Sequence, residues 1–106
     1  MRLFFMMEDI KSYQFFQDLV NLEFVEKILL FGSRARENHV KTSDIDLAIV
    51  CPGASENEWF EVLDIIDQAD TLLKIDCVRL DQLGNDEPIR AKILSEGKVL
   101  FERECK

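Results

Sequence analysis

The chain has 106 residues and a formal charge of -8 at neutral pH, and this length predicts a single domain covering residues 1–106. Hydrophobic residues make up 47% of the sequence, a share that is ordinary for a globular protein and excludes general disorder. The excess of 21 acidic over 13 basic residues argues against binding of nucleic-acid backbones, which depends on basic patches.

The cysteines and the N-terminal apolar run indicate a cytoplasmic chain. The three cysteines lack Cys-x-x-Cys spacing, and two of them stand in apolar runs, which predicts buried free thiols (Cys51 and Cys77, with Cys105 near the end). Buried free thiols suit a reducing compartment. The run Leu3–Met7 is too short for a signal peptide or a membrane span, and for residues 1–7 a disordered leader is the alternative to a folded start.

Apolar spacing predicts the elements of the first half of the chain. Residues 8–21 carry apolar side chains at three- and four-residue steps, the pattern of an amphipathic helix packed on a core. Residues 25–31 end in a continuous apolar run closed by Gly32, which predicts a strand covered on both faces. The helix-favouring residues of the segment 33–37 predict one helical turn, which Ser33 can cap. A polar connection is predicted over residues 38–42.

The second half predicts an alternation of strands and helices. Residues 44–51 form a strand stopped by Pro52-Gly53, and a helix with a Ser55–Glu58 capping box follows to about residue 70. In that helix an apolar stripe includes Trp59 and Leu63, and Trp59 is interpreted as a packing residue.

The last elements are predicted to be a strand, a helix and a short edge strand. The strand covers residues 72–80, the helix starts around Pro88 and stops at Gly97, and the edge strand covers residues 99–101. A short connection predicts antiparallel pairing of the first two strands, and the helix between the second and third predicts a parallel crossover. The fold class is therefore α/β or α+β, with one mixed sheet flanked by helices.

Three aspartates interrupt the apolar strand patterns. Asp44 and Asp46 share one face at the start of the second strand, and Asp76 interrupts the third. Aspartate is a poor strand former, and carboxylates ~4 Å apart repel by about 4 kcal/mol at an effective dielectric near 20. A hard cation would relieve that repulsion, so we predict a Mg²⁺ or Mn²⁺ site, with two ions clamping a phosphoryl or nucleotidyl transfer.

The Gly32-Ser33 turn supplies a second candidate feature. Backbone N–H groups at a turn that opens a helix, with the Ser33 hydroxyl, predict an anion site for the terminal phosphates of a triphosphate. Arg34, Arg36 and Lys41 can add positive charge to the nucleotide site, although arginines on a single helical turn are as often solvated.

Alternative interpretations of the aspartate pair explain less of the sequence. An EF-hand loop requires oxygen ligands where residues 47–50 are apolar. A glycosyltransferase Asp-x-Asp motif is possible on chemistry alone, but it accounts neither for Gly32-Ser33 nor for so short a chain.

The combined pattern resembles a known superfamily. Gly32-Ser33, followed after ten residues by Asp44-Ile45-Asp46 and later by Asp76, is similar to the motif of DNA polymerase beta-like nucleotidyltransferases. The segments Phe31–Arg36 and Ser43–Leu47 resemble in particular the minimal nucleotidyltransferases of prokaryotes, and the resemblance covers nearly the whole chain.

The resemblance implies a metal-dependent transfer of a nucleoside monophosphate from ATP or another NTP. By position, Asp44 and Asp46 would be metal ligands, and Asp76 would be the third carboxylate, orienting or deprotonating the acceptor hydroxyl. Gly32 and Ser33 would grip the triphosphate. One departure is Glu37, where many relatives have glycine, and an acid there would weaken nucleotide affinity.

The resemblance also implies a partner. Small relatives are often encoded beside a HEPN-domain protein, and some act as antitoxins that transfer AMP onto the HEPN toxin. The chain is too short for a separate acceptor-binding domain, so a partner or a second copy would complete the acceptor site as a hetero-oligomer or homodimer. Alternatives are a binding subunit without chemistry and, as in aminoglycoside-modifying relatives, transfer to a small molecule.

Overall fold

A computed structural model describes residues 10–36 and 44–104 of the chain. The elements in chain order are α1 (Gln14–Val20), β1 (Lys27–Phe31), α2 (Ser33–Arg36), β2 (Ile45–Val50), α3 (Glu56–Asp67), β3 (Ile75–Arg79), a 3-10 turn (Leu80–Gln82), α4 (Pro88–Glu96) and β4 (Lys98–Glu102). The predicted mixture of helices around one sheet is confirmed. None of the helices within the described ranges is long and apolar enough to cross a membrane.

The four strands form one mixed sheet in the order β3-β2-β1-β4. β1 pairs antiparallel with both β2 and β4, whereas β2 pairs parallel with β3. The antiparallel pairing of β1 with β2 was predicted from their short connection, and the parallel pairing of β2 with β3 was predicted from the helix between them. β4 lies at an edge of this sheet, as predicted. Because α3 joins β2 to β3, it provides the crossover that a parallel pair requires.

Apolar side chains cover both faces of the sheet. The larger cluster joins α1 and α3 to one face and includes Phe15, Ile28, Leu47 and Val62, all buried. The second cluster joins α4 to the opposite face through Ile93. β1 contributes to both clusters, since residues 28–31 are all buried, and its continuous apolar run is explained by burial on two sides.

The predicted starts of α3 and α4 are confirmed, whereas that of α1 is not. Ser55 Oγ accepts from the backbone N–H of Glu58, and Glu58 returns the bond to Ser55, so α3 has its capping box. α4 begins at Pro88 and ends before Gly97, as predicted. α1 instead begins at Gln14, where the Asp70 carboxylate accepts the N–H groups of Gln14 and Phe15 at 3.2 and 3.3 Å.

Several predicted boundaries were too wide. α3 ends at Asp67 instead of about residue 70. β3 begins at Ile75 instead of Leu72, because residues 71–74 form a turn in which the Leu73 N–H donates to the Thr71 hydroxyl. The predicted connection over residues 38–42 and the side chains of Glu37, Lys41 and Cys105 lie outside the described residues, as does any leader over residues 1–7.

Two predicted core positions are less buried than their patterns suggested. Leu63 is partly exposed on α3, and Cys77 is only half-buried, whereas Cys51 is fully buried. Both thiols are free, as predicted. Burial raises the pKa of Cys51 to about 11 and that of Cys77 to about 12, so both remain protonated and unreactive at neutral pH.

A buried ion pair fixes the end of the sheet where β2 stops. Arg79 Nε donates to Asp81 Oδ2 over 3.1 Å, and Arg79 Nη2 donates to the carbonyl oxygens of Cys51 and Ala54, each at 2.9 Å. Asp81 Oδ1 accepts the Cys51 N–H at 2.8 Å, and the guanidinium lies 5.8 Å from the centre of the Trp59 ring. The pair therefore holds the turn between β2 and α3.

We expect Arg79→Met to lower the free energy of unfolding by about 3–5 kcal/mol, because it leaves the Asp81 carboxylate buried without its cation. Denaturant unfolding measures this loss. The double variant Arg79→Met/Asp81→Asn removes both charges and should be more stable than Arg79→Met. The control Lys27→Met breaks an exposed pair with Glu102 and should change stability little. Equal stability of Arg79→Met and Lys27→Met would contradict the prediction.

Candidate functional site

The sheet brings Asp46 and Asp76 together. Asp46 on β2 lies beside Phe31, the last residue of antiparallel β1, and beside Asp76 on parallel β3. Side chains at paired positions of neighbouring strands lie on the same face, so the two carboxylates are adjacent. That face is the one covered by α4, since Ala48 and Val78, two residues further along each strand, pack with Ile93.

Asp44 lies just before β2 and is exposed at the same end of the sheet. Its negative charge acts on Asp46, although more weakly than that of Asp76. The structure therefore places the three predicted carboxylates around one end of β2 and β3. Asp46 and Asp76 are the central pair, and Asp44 is the outermost of the three.

The Asp46 carboxyl group is electrostatically strained. Its pKa is raised above the ordinary value of 3.8, first by burial and then by the negative charge of Asp76, a hydrogen bond with Asp76 and the charge of Asp44. Lys92 on α4 opposes these effects and lowers the pKa of Asp46. A pair of carboxylates in this state favours a shared proton or a bound cation.

Gly32 allows the Asp46 carboxylate to lie against the turn that follows β1. Its φ angle is +77°, in the left-handed region that favours glycine. A Cβ atom at this position would overlap Asp46 Oδ2 and would lie only 3.2 Å from Asp46 Cγ. The sequence predicted a glycine for close approach of a phosphate, and the structure adds close approach of a carboxylate from the neighbouring strand.

The helical turn after Gly32 carries the other predicted nucleotide-binding residues. Ser33 is half-buried and begins α2, so the turn opens a helix beside the carboxylate pair as predicted. Arg34 is only 6% exposed and engages in interactions of its own. Arg36 is the last residue of α2. Burial of Arg34 next to the core residue Ala35 indicates that this side chain also contributes to the packing of α2.

Two lysines flank the carboxylates and were missed by the sequence analysis. Lys74 Nζ lies 3.7 Å from Asp76 Oδ1, and its backbone carbonyl accepts the N–H of Ile45 at 2.9 Å. Lys92 acts on Asp46 from α4. Strand alternation could have indicated Lys74, which precedes Asp76 by two residues and so shares its face. No local pattern indicated Lys92, because α4 reaches Asp46 only through tertiary packing.

The donor chemistry of this site fits a hard divalent cation. Neighbouring carboxylate oxygens are the ligands that Mg²⁺ and Mn²⁺ prefer, and burial together with the charges of Asp76 and Asp44 raises the pKa of Asp46, which a bound cation would oppose. Over residues 10–36 and 44–104, however, no three His, Cys, Asp or Glu side chains are arranged closely enough to hold a metal ion together. A cation would therefore have to draw the carboxylates closer.

The carboxylate pair is partly exposed and is separate from the cavity between α1 and α3. That cavity has a volume of about 210 Å³ and is lined by polar residues that include Asp18, Asp64 and Asp70. Two of its side chains already hydrogen-bond within their own helices, Gln14 to Asp18 and Gln68 to Asp64. Because it lies on the opposite face of the sheet, it takes no part in the arrangement around Asp46.

Comparisons with known proteins give one matching family model and several solved structures with a similar fold. The model of the family described as "Polymerase beta, Nucleotidyltransferase" matches residues 13–106. No curated protein matches the chain. Among solved structures, a toxin–antitoxin with AMP-PNP is similar over 93% of this chain and 75% of its own, with 20% identity and a TM-score of 0.61.

Two further structures have the same fold. The toxin–antitoxin MntA-HepT is similar over 92% of this chain and 70% of its own, with 19% identity and a TM-score of 0.56. A putative nucleotidyltransferase from Sulfolobus solfataricus is similar over 95% of this chain and 84% of its own, with 17% identity and a TM-score of 0.58. At these identities the similarity establishes the fold.

Proposed function

This chain belongs to the polymerase beta nucleotidyltransferase family, and from that premise we propose that it transfers AMP from ATP to a hydroxyl group on a HEPN-type partner protein, as an antitoxin. The observation that carries this proposal is the register of β1, β2 and β3, which places Gly32, Asp46 and Asp76 side by side. A phosphate-binding turn next to paired carboxylates is the arrangement that nucleotidyl transfer requires.

The donor nucleotide would bind at the turn between β1 and α2. Backbone N–H groups of Gly32 and Ser33, with the Ser33 hydroxyl, would hold the terminal phosphates, and Arg34 and Arg36 are further candidates for that role. Asp44, Asp46 and Asp76 would hold Mg²⁺ or Mn²⁺, with two ions as the expected number. Such ions supply charge neutralisation to the triphosphate and to the leaving pyrophosphate.

Asp76 is the residue best placed to receive the acceptor hydroxyl. β3 is an edge strand of the described sheet, and the side chain of Asp76 is 46% exposed, whereas Asp46 is flanked by strands on both sides. The acceptor oxygen would form a bond to the α-phosphorus of ATP while the bond from that phosphorus to pyrophosphate breaks in line. The proton of the hydroxyl would pass to the Asp76 carboxylate.

Support for a protein acceptor comes from two sources. The toxin–antitoxin structures with the same fold pair such a domain with a partner, which makes a toxin protein a reasonable acceptor here. In addition, the side chain of Asp76 is 46% exposed on an edge strand of the described sheet, where a second protein can approach it. The free thiols of Cys51 and Cys77 support a cytoplasmic location for this complex.

Labelled ATP tests the proposal directly. The native chain, incubated with Mg²⁺, ATP labelled on the α-phosphate and the HEPN-type protein encoded beside it, should transfer the label to that protein. Asp44→Asn should lower the rate by about 100-fold or more, because a lost cation contact costs several kcal/mol of transition-state stabilisation. Asp44 is exposed, so the substitution leaves the fold intact, and circular dichroism provides that control.

The outcomes separate the alternatives. Equal labelling by the native chain and by Asp44→Asn would refute the catalytic role of the carboxylates. A stable complex with no labelling, unaffected by Asp76→Asn, would instead identify a binding subunit without chemistry. Labelling of an aminoglycoside but not of the protein would identify a small-molecule enzyme.

A further inference from the structure

The loop before β3 is fixed beside the carboxylates. We call residues 70–74 the β3 entry loop. Asp70 holds its first end to α1 through two backbone N–H groups, and the Lys74 carbonyl holds its last end to Ile45, the first residue of β2. Between them, the Thr71 hydroxyl accepts the Leu73 N–H at 3.1 Å, which closes a turn. The loop is therefore tied to the fold at both ends and is closed by a hydrogen bond of its own in the middle.

This loop presents one apolar side chain to solvent next to the site. Leu73 packs against the main core, whereas Leu72 is fully exposed, more so than any of the other exposed large apolar residues described. A fully exposed leucine contributes no burial to this domain on folding. It lies only four residues before Asp76, at the end of the sheet where the carboxylates meet.

Lys74 adds a cation to the same surface. Its ammonium group lies 3.7 Å from Asp76 Oδ1, and its side chain is 69% exposed. Such an exposed pair contributes little to stability, and the lysine can turn towards another anion at low cost. The entry loop thus combines an apolar anchor with a mobile positive charge, within a chain whose net charge is -8.

We propose that the β3 entry loop is the docking element for the acceptor protein, with Leu72 contacting an apolar side chain and Lys74 pairing with a carboxylate near the acceptor hydroxyl. This inference rests on the proposed function. The entry loop leads directly into the edge strand β3, and its Lys74 lies 3.7 Å from Asp76 Oδ1, so a protein that brings a hydroxyl to Asp76 along this edge would meet the loop. The net charge of -8 disfavours a polyanionic nucleic acid as the carrier.

Steady-state transfer measured at varied concentrations of the HEPN-type protein tests the docking role. Leu72→Ser and Lys74→Met should each raise the KM for the protein by about tenfold, the effect of losing one useful interface contact. In Leu72→Ser the KM for ATP should stay unchanged, since Leu72 lies neither at the Gly32-Ser33 turn nor among the carboxylates. Leu72→Ser is safe for folding because the side chain is fully exposed.

Matched controls exist on the remote parts of the chain. Phe60→Ser removes an apolar side chain that is 59% exposed on α3, which covers the other face of the sheet. Lys27→Met removes one positive charge at the opposite end of β1, where Lys27 pairs with Glu102. Both controls should retain the native KM for the protein.

Several results would overturn the proposal. The first is a native KM for the protein in both loop variants. The second is an increase of this KM in Phe60→Ser that equals the increase in Leu72→Ser. The third is inhibition of the transfer by added RNA that is lost in Lys74→Met. A change in oligomeric state of Leu72→Ser in sedimentation would assign the loop to self-association instead. If the native chain transfers no label, the proposed function fails. Docking can still be tested by calorimetry, which compares the affinity of the partner for Asp44→Asn with its affinity for the double variant Asp44→Asn/Leu72→Ser.

Discussion

Replacing Gly32 with alanine is expected to lower nucleotidyl transfer by about 100-fold, the cost of displacing a catalytic group by roughly an ångström. The new methyl group would overlap Asp46 Oδ2, so the carboxylate and the turn have to move apart. Because the turn carries the proposed phosphate contacts and Asp46 the proposed cation contact, a single methyl group disturbs both. The measurement is the rate of label transfer from ATP.

The same substitution should also destabilise the fold. An L-residue in the left-handed region costs roughly 1–2 kcal/mol, and Gly32 has a φ angle of +77°. For a domain of this size each kcal/mol corresponds to about 4–8 °C in Tm. Adding Asp46→Ala to Gly32→Ala should recover part of that loss, since it removes the overlapping carboxylate, and a double-mutant cycle measures this coupling.

Gly53→Ala is the matched control for this prediction. Gly53 has an ordinary φ angle and no atom within 4 Å of its would-be Cβ, so the same change there should be within about 0.5 kcal/mol of neutral. Native transfer by Gly32→Ala, or equal effects at the two glycines, would show that close approach at Gly32 is not needed for the site.

Strand periodicity, together with the connections between strands, predicted the pairing of β1, β2 and β3 and therefore the neighbours of the carboxylates, but not the position of β4 beside β1. The unbroken apolar run of β1 indicated burial on two faces, and the alternation around Asp46 indicated its face. The helix α3 between β2 and β3 indicated their parallel pairing, which sets Asp46 beside Asp76. These features depend on local order along the chain, which a single sequence displays.

Contacts between distant segments could not be predicted in this way. Asp70 caps α1 from 56 residues away, so no pattern near residue 14 indicated where that helix begins. The ion pair of Arg79 and Asp81 was hidden for a similar reason, since its carbonyl partners lie 25 and 28 residues away. Lys92 reaches the environment of Asp46 only because Ile93 is packed on the sheet.

The exposure of the β3 entry loop could not be predicted from the sequence either. Leu72 and Leu73 extend the apolar pattern of β3, and periodicity alone predicted a strand that starts at Leu72. The Thr71 hydroxyl closes a turn instead, which directs Leu73 to the core and Leu72 to solvent. The surface proposed for acceptor docking is therefore a position where turn chemistry overrides strand propensity.

Replacing Asp46 with asparagine is expected to abolish transfer and, without divalent cations, to raise Tm by a few degrees. Transfer should fall by at least about 100-fold, because the proposed cation contact is lost. Stability should rise because the folded chain holds Asp46 near Asp76 and Asp44 in a partly buried place that disfavours its charge. Thermal unfolding in EDTA measures this effect.

The pH dependence of the stability gain in Asp46→Asn follows from the direction in which folding shifts the pKa of Asp46. The folded pKa of Asp46 is raised above 3.8, so between the unfolded and folded pKa values the native chain binds more protons than the unfolded chain. The stability of the native chain therefore falls as pH rises through this interval, whereas the stability of Asp46→Asn should not show this decrease. The stability difference between the two proteins should be small below pH 3.8 and largest at neutral pH.

Added Mg²⁺ should reverse the order of stability. A cation that binds only the folded native chain stabilises it by mass action, whereas Asp46→Asn has lost a ligand and should respond less. Glu61→Gln, which removes one carboxylate charge from an exposed position on α3, should change neither the EDTA nor the Mg²⁺ result. If the native chain were as stable as Asp46→Asn in EDTA at neutral pH, the charged Asp46 carboxylate would not be destabilising in the folded chain, and the prediction would be refuted. Mg²⁺ stabilisation that is equal in the two proteins would refute its role as a cation ligand, so the two measurements test burial and binding separately.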